Sequence, residues 1–424
     1  GLYERAEIRR QIDRRKGGSF GSRLLTHNCF KEKEKRMRTP VELYIHIPFC
    51  IRKCRYCDFL SFPSERGVPE EYVELLLAEI NRYRKTEEPW PVSTVFLGGG
   101  TPSLLLPDQA GRIFEALNGA FRILPDAEIT MEANPGTISR EKLQAYRKAG
   151  VNRLSLGLQS IHQEELAFLG RIHTFPEFQE SFSLARECGF SNISVDLISA
   201  VPGQTVEGWK STLETVTALE PEHISAYSLI IEPGTPFYEL YGEEAPFRED
   251  IPPLPGEEAD REMYHLTKAL LKRAGYERYE ISNYAKPGFA CRHNLGYWER
   301  REYVGLGPGA ASLVEGVRFQ NPEEMDVYRE QVQAGSLPFW IRRTLPALTP
   351  EETMEETIFR GLRKTAGITE EEIDRQCGKE LMDVYREPVE KMERLGMLAR
   401  EGGRIFLTEQ GLDVSNAVFV EFML

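Results

Sequence analysis

From Val41 onward, short apolar, β-rich runs alternate with stretches whose apolar residues recur at helical spacing. Strands are predicted over Glu42–Ile47, Val92–Leu97, Glu128–Met131, Arg153–Leu158, Asn192–Ile198 and His223–Leu229. Between them, Glu70–Arg84 reads as a helix with Val73, Leu76, Leu77 and Ile80 on one face. Further helices are predicted over Pro107–Leu117, Gln163–Leu169, Pro176–Cys188 and Val206–Leu219, and one starts at Ser139 as N-cap. In that last helix Lys142 stands where a capping box would prefer Glu. Strand–helix alternation of this kind predicts an α/β fold, a parallel sheet wound into a barrel or partial barrel. Functional loops then belong at the carboxyl ends of the strands. After Glu232–Pro236 the pattern loosens: Pro246–Pro255 reads as a linker or lid, Ala259–Ala274 as an amphipathic helix and Tyr276–Asn283 as a strand.

A smaller unit is expected to begin near Leu337–Thr349. Helical stretches Glu351–Arg363, Thr369–Gln376 and Glu380–Leu395 lead to a strand over Met397–Arg400. A tight turn at Gly402-Gly403 then opens Arg404–Leu407, and Thr408 starts a last helix. Helices followed by a hairpin suggest a winged-helix-like unit. The expected division is a basic arm over 1–40, a barrel over 41–240, an extension over 241–336 and the C-terminal unit over 337–424.

Charge changes the picture at both ends. Residues 1–39 hold 12 Lys/Arg against 5 Asp/Glu, which leaves 41 against 61 in the remaining chain. So acidic a body disfavours nucleic-acid binding, and the C-terminal unit, with 17 acidic and 10 basic residues over 351–424, shares the bias. The basic arm has no apolar segment of a secretory signal, and much of residues 1–36 is expected to lie outside the functional fold. No run of about 18 apolar residues predicts a membrane-spanning helix. Seven cysteines without an even framework suggest a reducing, intracellular setting.

Three of those cysteines follow the first strand as Cys50-x3-Cys54-x2-Cys57. Three thiolates on one loop are one short of closing an iron–sulfur cube, and the unfilled iron is a place for chemistry. A structural zinc would want a fourth Cys or His, and His46, the near candidate, is expected to point into packing. Free buried thiols are the plain alternative, and the isolated Cys29, Cys188 and Cys377 are read that way; Cys291, beside His293, stays ambiguous. Other polar or glycine features fall at strand ends on the same predicted rim. Gly98–Thr101 follows the second strand, Glu132 the third and Gln159 the fourth, with Asp196 near the end of the fifth. A bare glycine backbone permits close approach of a polar ligand, although the same run could be only a turn. His293 reads either as a histidine packed among Asn294 and two aromatics or as an axial ligand to haem iron, with Tyr297 and Trp298 as an aromatic wall. The glycine-rich Gly305–Ser312 is not placed as a dinucleotide fingerprint requires and is assigned no cofactor.

The segments Tyr44-x-His46-x-Pro48-Phe-Cys50-x3-Cys54-x-Tyr56-Cys57, Gly98–Pro102, Glu132-Ala-Asn-Pro135 and Asp196-Leu-Ile together resemble the oxygen-independent coproporphyrinogen dehydrogenase family of radical S-adenosylmethionine (SAM) proteins. The likeness runs from about Val41 to the C-terminus. It implies a partial (β/α)6 barrel with a small C-terminal domain, a [4Fe–4S] cluster on Cys50, Cys54 and Cys57, and SAM chelating the open iron. The SAM positions it carries over are Tyr44, Tyr56, Gly99, Gly100, Thr101, Glu132, Gln159, Arg171 and Asp196. One departure is Ala200, where the family's Gly-x-Pro-Gly-Gln-Thr loop begins with glycine.

Two subgroups share this frame. The dehydrogenase subgroup has a further cysteine two positions after the third, where this chain has Phe59; the haem-chaperone subgroup lacks it and carries His-Asn-x-x-Tyr-Trp, present here as His293–Trp298. The resemblance therefore implies a chaperone on a radical SAM scaffold, with no catalytic residue assigned. It would bind haem at His293 and deliver it to apo-proteins, notably respiratory haem proteins. The alternative is radical decarboxylation of coproporphyrinogen III propionates. An electron donor such as flavodoxin or ferredoxin would be needed if SAM is cleaved. The implied location is cytoplasmic, with peripheral membrane contact left open.

Overall fold

The structure, a computed structural model, describes residues 38–423 apart from 86–87, 247, 335–342 and 345–347. The expectations for residues 1–36 lie outside the described residues, as does most of the expected junction near Leu337.

Six strands, β1 (Val41–Ile47), β2 (Pro91–Gly99), β3 (Arg122–Ala133), β4 (Arg153–Gln159), β5 (Ile193–Ser199) and β6 (His223–Ser228), run parallel in chain order. The sheet continues beyond them. Tyr303–Leu306 (below, β9) pairs in parallel with β1 as a seventh parallel strand, its last two residues overlapping the stretch Gly305–Ser312 read from sequence as glycine-rich. With β7 (Glu277–Arg278), β8 (Asn283–Ala285), β10 (Ala311–Val314), β11 (Val317–Gln320) and β12 (Arg343–Thr344), the order is β12-β11-β10-β9-β1-β2-β3-β4-β5-β6-β8-β7, an open, partial barrel.

Successive side chains of a strand face opposite ways, and here the two faces differ in chemistry. Leu43, Ile45, Ile47, Val95, Leu97 and Met131 belong to one large core packed under the crossover helices α1 (Glu70–Asn81), α2 (Pro107–Ala120), α3 (Arg140–Ala149), α5 (Phe175–Glu187) and α6 (Val206–Thr217), while α4 (Gln163–Leu169) buries Leu169 in a smaller cluster with Ile198, Val201 and Phe237. The other face is polar. Glu42, Thr94 and Glu128 stand side by side across β1–β3, and Asp196 and Ser225 pair across β5–β6. The helix starts are capped as the sequence dictates: Ser139 accepts from Lys142 N at 3.3 Å, without the reciprocal bond of a box, whereas Thr174 and Glu177 form a full capping box.

Beyond α7 (Pro236–Tyr241), the Pro246–Pro255 stretch leads to α8 (Glu257–Arg273), with no helix or strand among its described residues. The single strand expected over Tyr276–Asn283 is instead the antiparallel pair β7–β8. Glu280 is the reason. Its Oε1 accepts from Ser282 N at 2.8 Å and from Asn283 Nδ2 at 2.6 Å, fixing a turn where extended backbone was expected. Then come α9 (Arg292–Trp298) and α10 (Met325–Gln333).

A second core holds the C-terminal unit, with Met354, Ile358 and Leu362 of α11 (Pro350–Arg363) among its buried residues. It also contains α12 (Glu370–Cys377) and a three-stranded sheet of β13 (Ile368–Thr369), β14 (Leu398–Glu401) and β15 (Arg404–Leu407) in the order β13-β15-β14. Gly402 and Gly403 have φ of 58° and 70°, as the tight turn between β14 and β15 requires. The helix expected over Glu380–Leu395 breaks into α13 (Leu381–Val384) and α14 (Arg386–Arg394). Pro388 explains the break, since its ring would clash with the Val384 carbonyl in a continuous helix.

Ion pairs and backbone bonds both join the unit to the barrel. Glu356 of α11, 3% exposed, pairs with Arg318 of β11, with Arg300 after α9 at 3.1 Å and with Arg360 at 2.7 Å. Lys364 and Glu280 form an antiparallel bridge, and Thr365 N donates to Tyr279 O at 3.1 Å.

Candidate functional site

The cysteine loop leaves β1 through a two-residue parallel pairing of Phe49–Cys50 with Phe62–Pro63. It is pinned at Arg55, whose N donates to Leu169 O at 3.0 Å and whose O accepts from Phe237 N at 3.1 Å. Gly170, with φ of +82°, packs closely against the loop, a Cβ there lying 3.3 Å from Arg55 N. Cys50, Cys54 and Cys57 are all half-buried. Burial pushes the Cys57 thiol up to about 12, and the neighbouring Cys54 and Cys50 push in the same direction; Cys50 is raised by burial too. The three sulfurs are thus close enough to feel each other's charge, and cations on that loop would relieve them. Among the described residues no three His, Cys, Asp or Glu side chains close on a single metal ion. In a cluster each of the three thiols would take a separate iron.

A chain of hydrogen bonds runs from one thiol to another. Thr101 Oγ1 donates to Cys50 Sγ at 3.5 Å and accepts from Asn134 Nδ2 at 2.8 Å. Asn134 Oδ1 accepts from Arg171 Nη2 at 2.6 Å, and Arg171 Nη1 reaches Cys54 Sγ at 3.6 Å. Arg171 also donates to Gly157 O at 2.7 Å. A cavity of about 30 Å³, lined by Cys54, Thr101, Asn134 and Arg171 among others, opens beside this ring. Asn134, its hub, is absent from the residues singled out above; its place in Glu132-Ala-Asn-Pro135, directly after a strand end, was the available signal.

The glycines answer first to the chain itself. A Cβ on Gly99 (φ +110°) would lie 2.4 Å from the His46 ring, and one on Gly100 would lie 2.7 Å from the Phe49 backbone. Gly98 faces Tyr44 and Glu132, each about 3.1 Å from such a Cβ. His46, 1% exposed, is held in packing as expected: Tyr44 Oη lies 2.9 Å from its Nδ1, and Leu60 O lies 2.9 Å from its Nε2.

Glu132 Oε2 accepts from Gly99 N at 3.0 Å. Burial, with the charge of Asp196 second, raises its pKa to about 7. Asp196 lies mid-strand rather than at the rim. It accepts from Ser155 Oγ at 3.0 Å and Ser194 Oγ at 3.3 Å, and burial raises its pKa. Gln159 is buried, with φ of +71°, a left-handed conformation costly for a side-chain-bearing residue. The pairing of β4 with β5 shifts register between Gly157 and Gln159, and Gln159, Asn134 and Arg171 all lie within 3.4 Å of a Cβ built on Gly157. Ala200 has φ of +57°, so the departure from glycine carries backbone strain. Tyr56 packs against Phe237 and Leu169, and burial followed by Cys54 raises its phenol well above the usual range.

Glu132 predicts a pH effect. Its folded pKa is raised from 4.5 to about 7, so the folded state holds the proton more tightly and the stabilisation is complete below the unfolded value. It is lost as pH rises from about 4.5 through about 7. In protein free of cluster and SAM, Glu132→Gln should flatten the melting temperature over that window; a slope equal to wild type would refute the assignment.

His293 is elsewhere. It lies on α9, 1% exposed, against the polar face of the sheet. Its Nδ1 is 2.7 Å from Thr94 Oγ1 and 3.8 Å from Glu42 Oε2, and its ring stacks on Phe96 at 5.0 Å. Glu128 caps the start of α9, accepting from Arg292 N at 3.1 Å and His293 N at 3.2 Å. Gly296 must be glycine, since a Cβ would lie 1.7 Å from Glu42 Oε1. Tyr297 and Trp298 form no common wall: Tyr297 packs edge-on to His293 and Tyr303, and Trp298 lies under Arg363. Thr94, Glu42 and Glu128, which fix this helix, carry no motif in the sequence.

The radical SAM superfamily model matches residues 44–216, and the HemN C-terminal domain model matches residues 348–414. Barrel, cysteine loop and C-terminal unit together make this a radical SAM protein. The solved coproporphyrinogen III oxidase (HemN) of Escherichia coli has the same fold, with a TM-score of 0.76 at 24% identity over 90% of both chains. Over 382 residues the chain is 37% identical to the haem chaperone HemW of Bacillus subtilis, spanning 90% of this chain and 98% of that one. It is 33% identical over 388 residues to HemW of Lactococcus lactis, spanning 92% and 98%. The chain belongs to the HemW family.

Proposed function

We propose that this chain is a haem chaperone, binding haem and transferring it to apo-proteins, among them respiratory haem proteins. The observation that carries the reading is the likeness to HemW of Bacillus subtilis over 98% of that protein's length. Phe59, in place of the dehydrogenase subgroup's further cysteine, supports it.

Cys50, Cys54 and Cys57 would hold a [4Fe–4S] cluster. Tyr44, Tyr56, Gly99, Gly100, Thr101, Glu132, Gln159, Arg171 and Asp196 would surround SAM. A cluster held there would offer single-electron chemistry to SAM, and a flavodoxin- or ferredoxin-like donor would be needed only if SAM is cleaved. What this chain contributes is position: the Thr101–Asn134–Arg171 ring orients two thiols, and Glu132 and Asp196 present carboxylates to a cationic ligand. His293 is the haem contact implied by the His-Asn-x-x-Tyr-Trp motif. Enclosed by Thr94, Phe96 and Glu42, it would meet iron only if α9 swings away from the sheet. No described helix is long and apolar enough to cross a membrane, and we place the protein in the cytoplasm, with any membrane contact peripheral.

Anaerobic reconstitution followed by two assays tests the function. Haem should bind stoichiometrically, and coproporphyrinogen III should not be converted to protoporphyrinogen. Turnover of the tetrapyrrole would overturn the chaperone reading in favour of the dehydrogenase. Unchanged haem affinity in His293→Ala would remove that ligand and leave the function standing.

A further inference from the structure

The helix that carries His293 is fastened differently at its two ends. Its last residues are clamped to the C-terminal unit: Arg360 Nη1 donates to Tyr297 O at 3.1 Å, the Arg363 guanidinium lies 4.6 Å from the Trp298 ring centre, and Lys364 pairs with Glu299 at 3.6 Å. Its first turn rests on the sheet instead, through Glu128 at its N-terminus and Thr94 on the His293 ring. Both flanks have backbone suited to a hinge. Gly288, before the helix, has φ of +85° with open space where a Cβ would stand. Arg300, after it, has φ of +56°, a left-handed conformation costly for a residue with a side chain. Residues at the ends of elements are where hinged motions place their backbone rotation.

Beneath Gly296 lies a buried group that the closed arrangement does not satisfy. Glu42 is 0% exposed, yet neither of its carboxyl oxygens has a hydrogen-bond partner among the described residues. His293 Nδ1, at 3.8 Å, is beyond hydrogen-bond distance and is engaged by Thr94. A buried polar group without a partner stores free energy that hydration would release. Lifting α9 would hydrate Glu42, so Glu42 makes the resting place of His293 easier to leave, while Thr94 makes it harder.

We propose that α9 is a hinged flap, with the sheet and haem iron competing for His293. Its first turn pivots about the clamp at residues 297–299 to present the histidine to iron. Its return to Glu128 and Thr94 withdraws the ligand when haem is passed on. The proposal rests on the haem-chaperone reading, with His293 as the iron contact, and deepens it. It also divides the His-Asn-x-x-Tyr-Trp motif: the histidine travels, and the Tyr-Trp pair holds the pivot. Glu42 and Thr94 act through His293 and are positioning residues of opposite sign.

Amide hydrogen exchange of the full-length, haem-free chain, read at residues 292–295, tests the flap. Glu42→Met keeps the side-chain length and removes the unpaired oxygens, so exchange there should slow at least about tenfold. Thr94→Val removes the bond to the ring and should speed it by about the same factor. Amides of β4 and β5 should exchange as in wild type in both variants. Haemin titration followed by absorbance should track these populations, because affinity scales with the fraction of the competent state. Binding should weaken in Glu42→Met and tighten in Thr94→Val, and neither change should matter in a His293→Ala background. A carboxyl that merely held the helix down would give the reverse, faster exchange in Glu42→Met. Faster or unchanged exchange in that variant overturns the proposal, as does a shift in exchange that leaves haemin affinity unmoved; both keep the chaperone. No haemin binding by wild type would instead overturn the chaperone reading itself.

Discussion

Replacing Cys54 with Ser should leave the anaerobically reconstituted protein without the brown absorbance of a [4Fe–4S] cluster and with iron per chain near background. A serine hydroxyl does not ionise near neutral pH and is a poor iron ligand, so one of three protein attachments is lost. The fold should survive. Cys54 is half-buried, and the loop's backbone ties run through Arg55 to Leu169 and Phe237, which the substitution leaves alone. The melting temperature of the cluster-free variant should therefore match that of cluster-free wild type. Full iron content in Cys54→Ser would refute the ligand assignment.

Glu356→Ala should cost about 3–5 kcal/mol, the range for removing one member of a buried ion cluster. The loss leaves Arg300, Arg318 and Arg360 facing one another, and Arg318 and Arg360 are less than a tenth exposed. Denaturant unfolding measures it; a change below about 1 kcal/mol would mean the arginines find water or other partners. The same residue has a pH signature. Burial alone would raise its pKa, yet Arg360, Arg318 and Arg300 hold it down at about 2. A depressed carboxyl stabilises the fold above its unfolded pKa, and that contribution disappears as pH falls from about 4.5 through about 2. Wild type should lose stability over this acid window, and Glu356→Ala should lose less.

The barrel was legible because each of the first five β-runs is followed by a helix that must cross back over the sheet, as with Val92–Leu97 and Pro107–Leu117. The cysteine loop and glycine run were legible because chemistry and position agree there. What the periodicity could not supply depends on tertiary partners. β9 is only four residues long and is stabilised by pairing with β1 from more than 250 residues away, so with Gly305 opening a glycine-rich run it did not read as a strand. Glu42 and Thr94 looked like ordinary polar positions of a strand, although strict alternation in a parallel strand already signals a polar face. Asp196 was placed at the rim because it falls late in its run, yet the strand continues three residues further. Asn134 escaped notice because its role comes from meeting Arg171 across two strands.

The Glu280–Lys364 bridge and the Thr365–Tyr279 bond join the backbone of the barrel to that of the C-terminal unit. Amide protons on either side of that seam should exchange with solvent together, through one shared opening event rather than two independent ones. The small unit is then part of the same cooperative block as the sheet, and a ligand lodged between them would slow exchange in both.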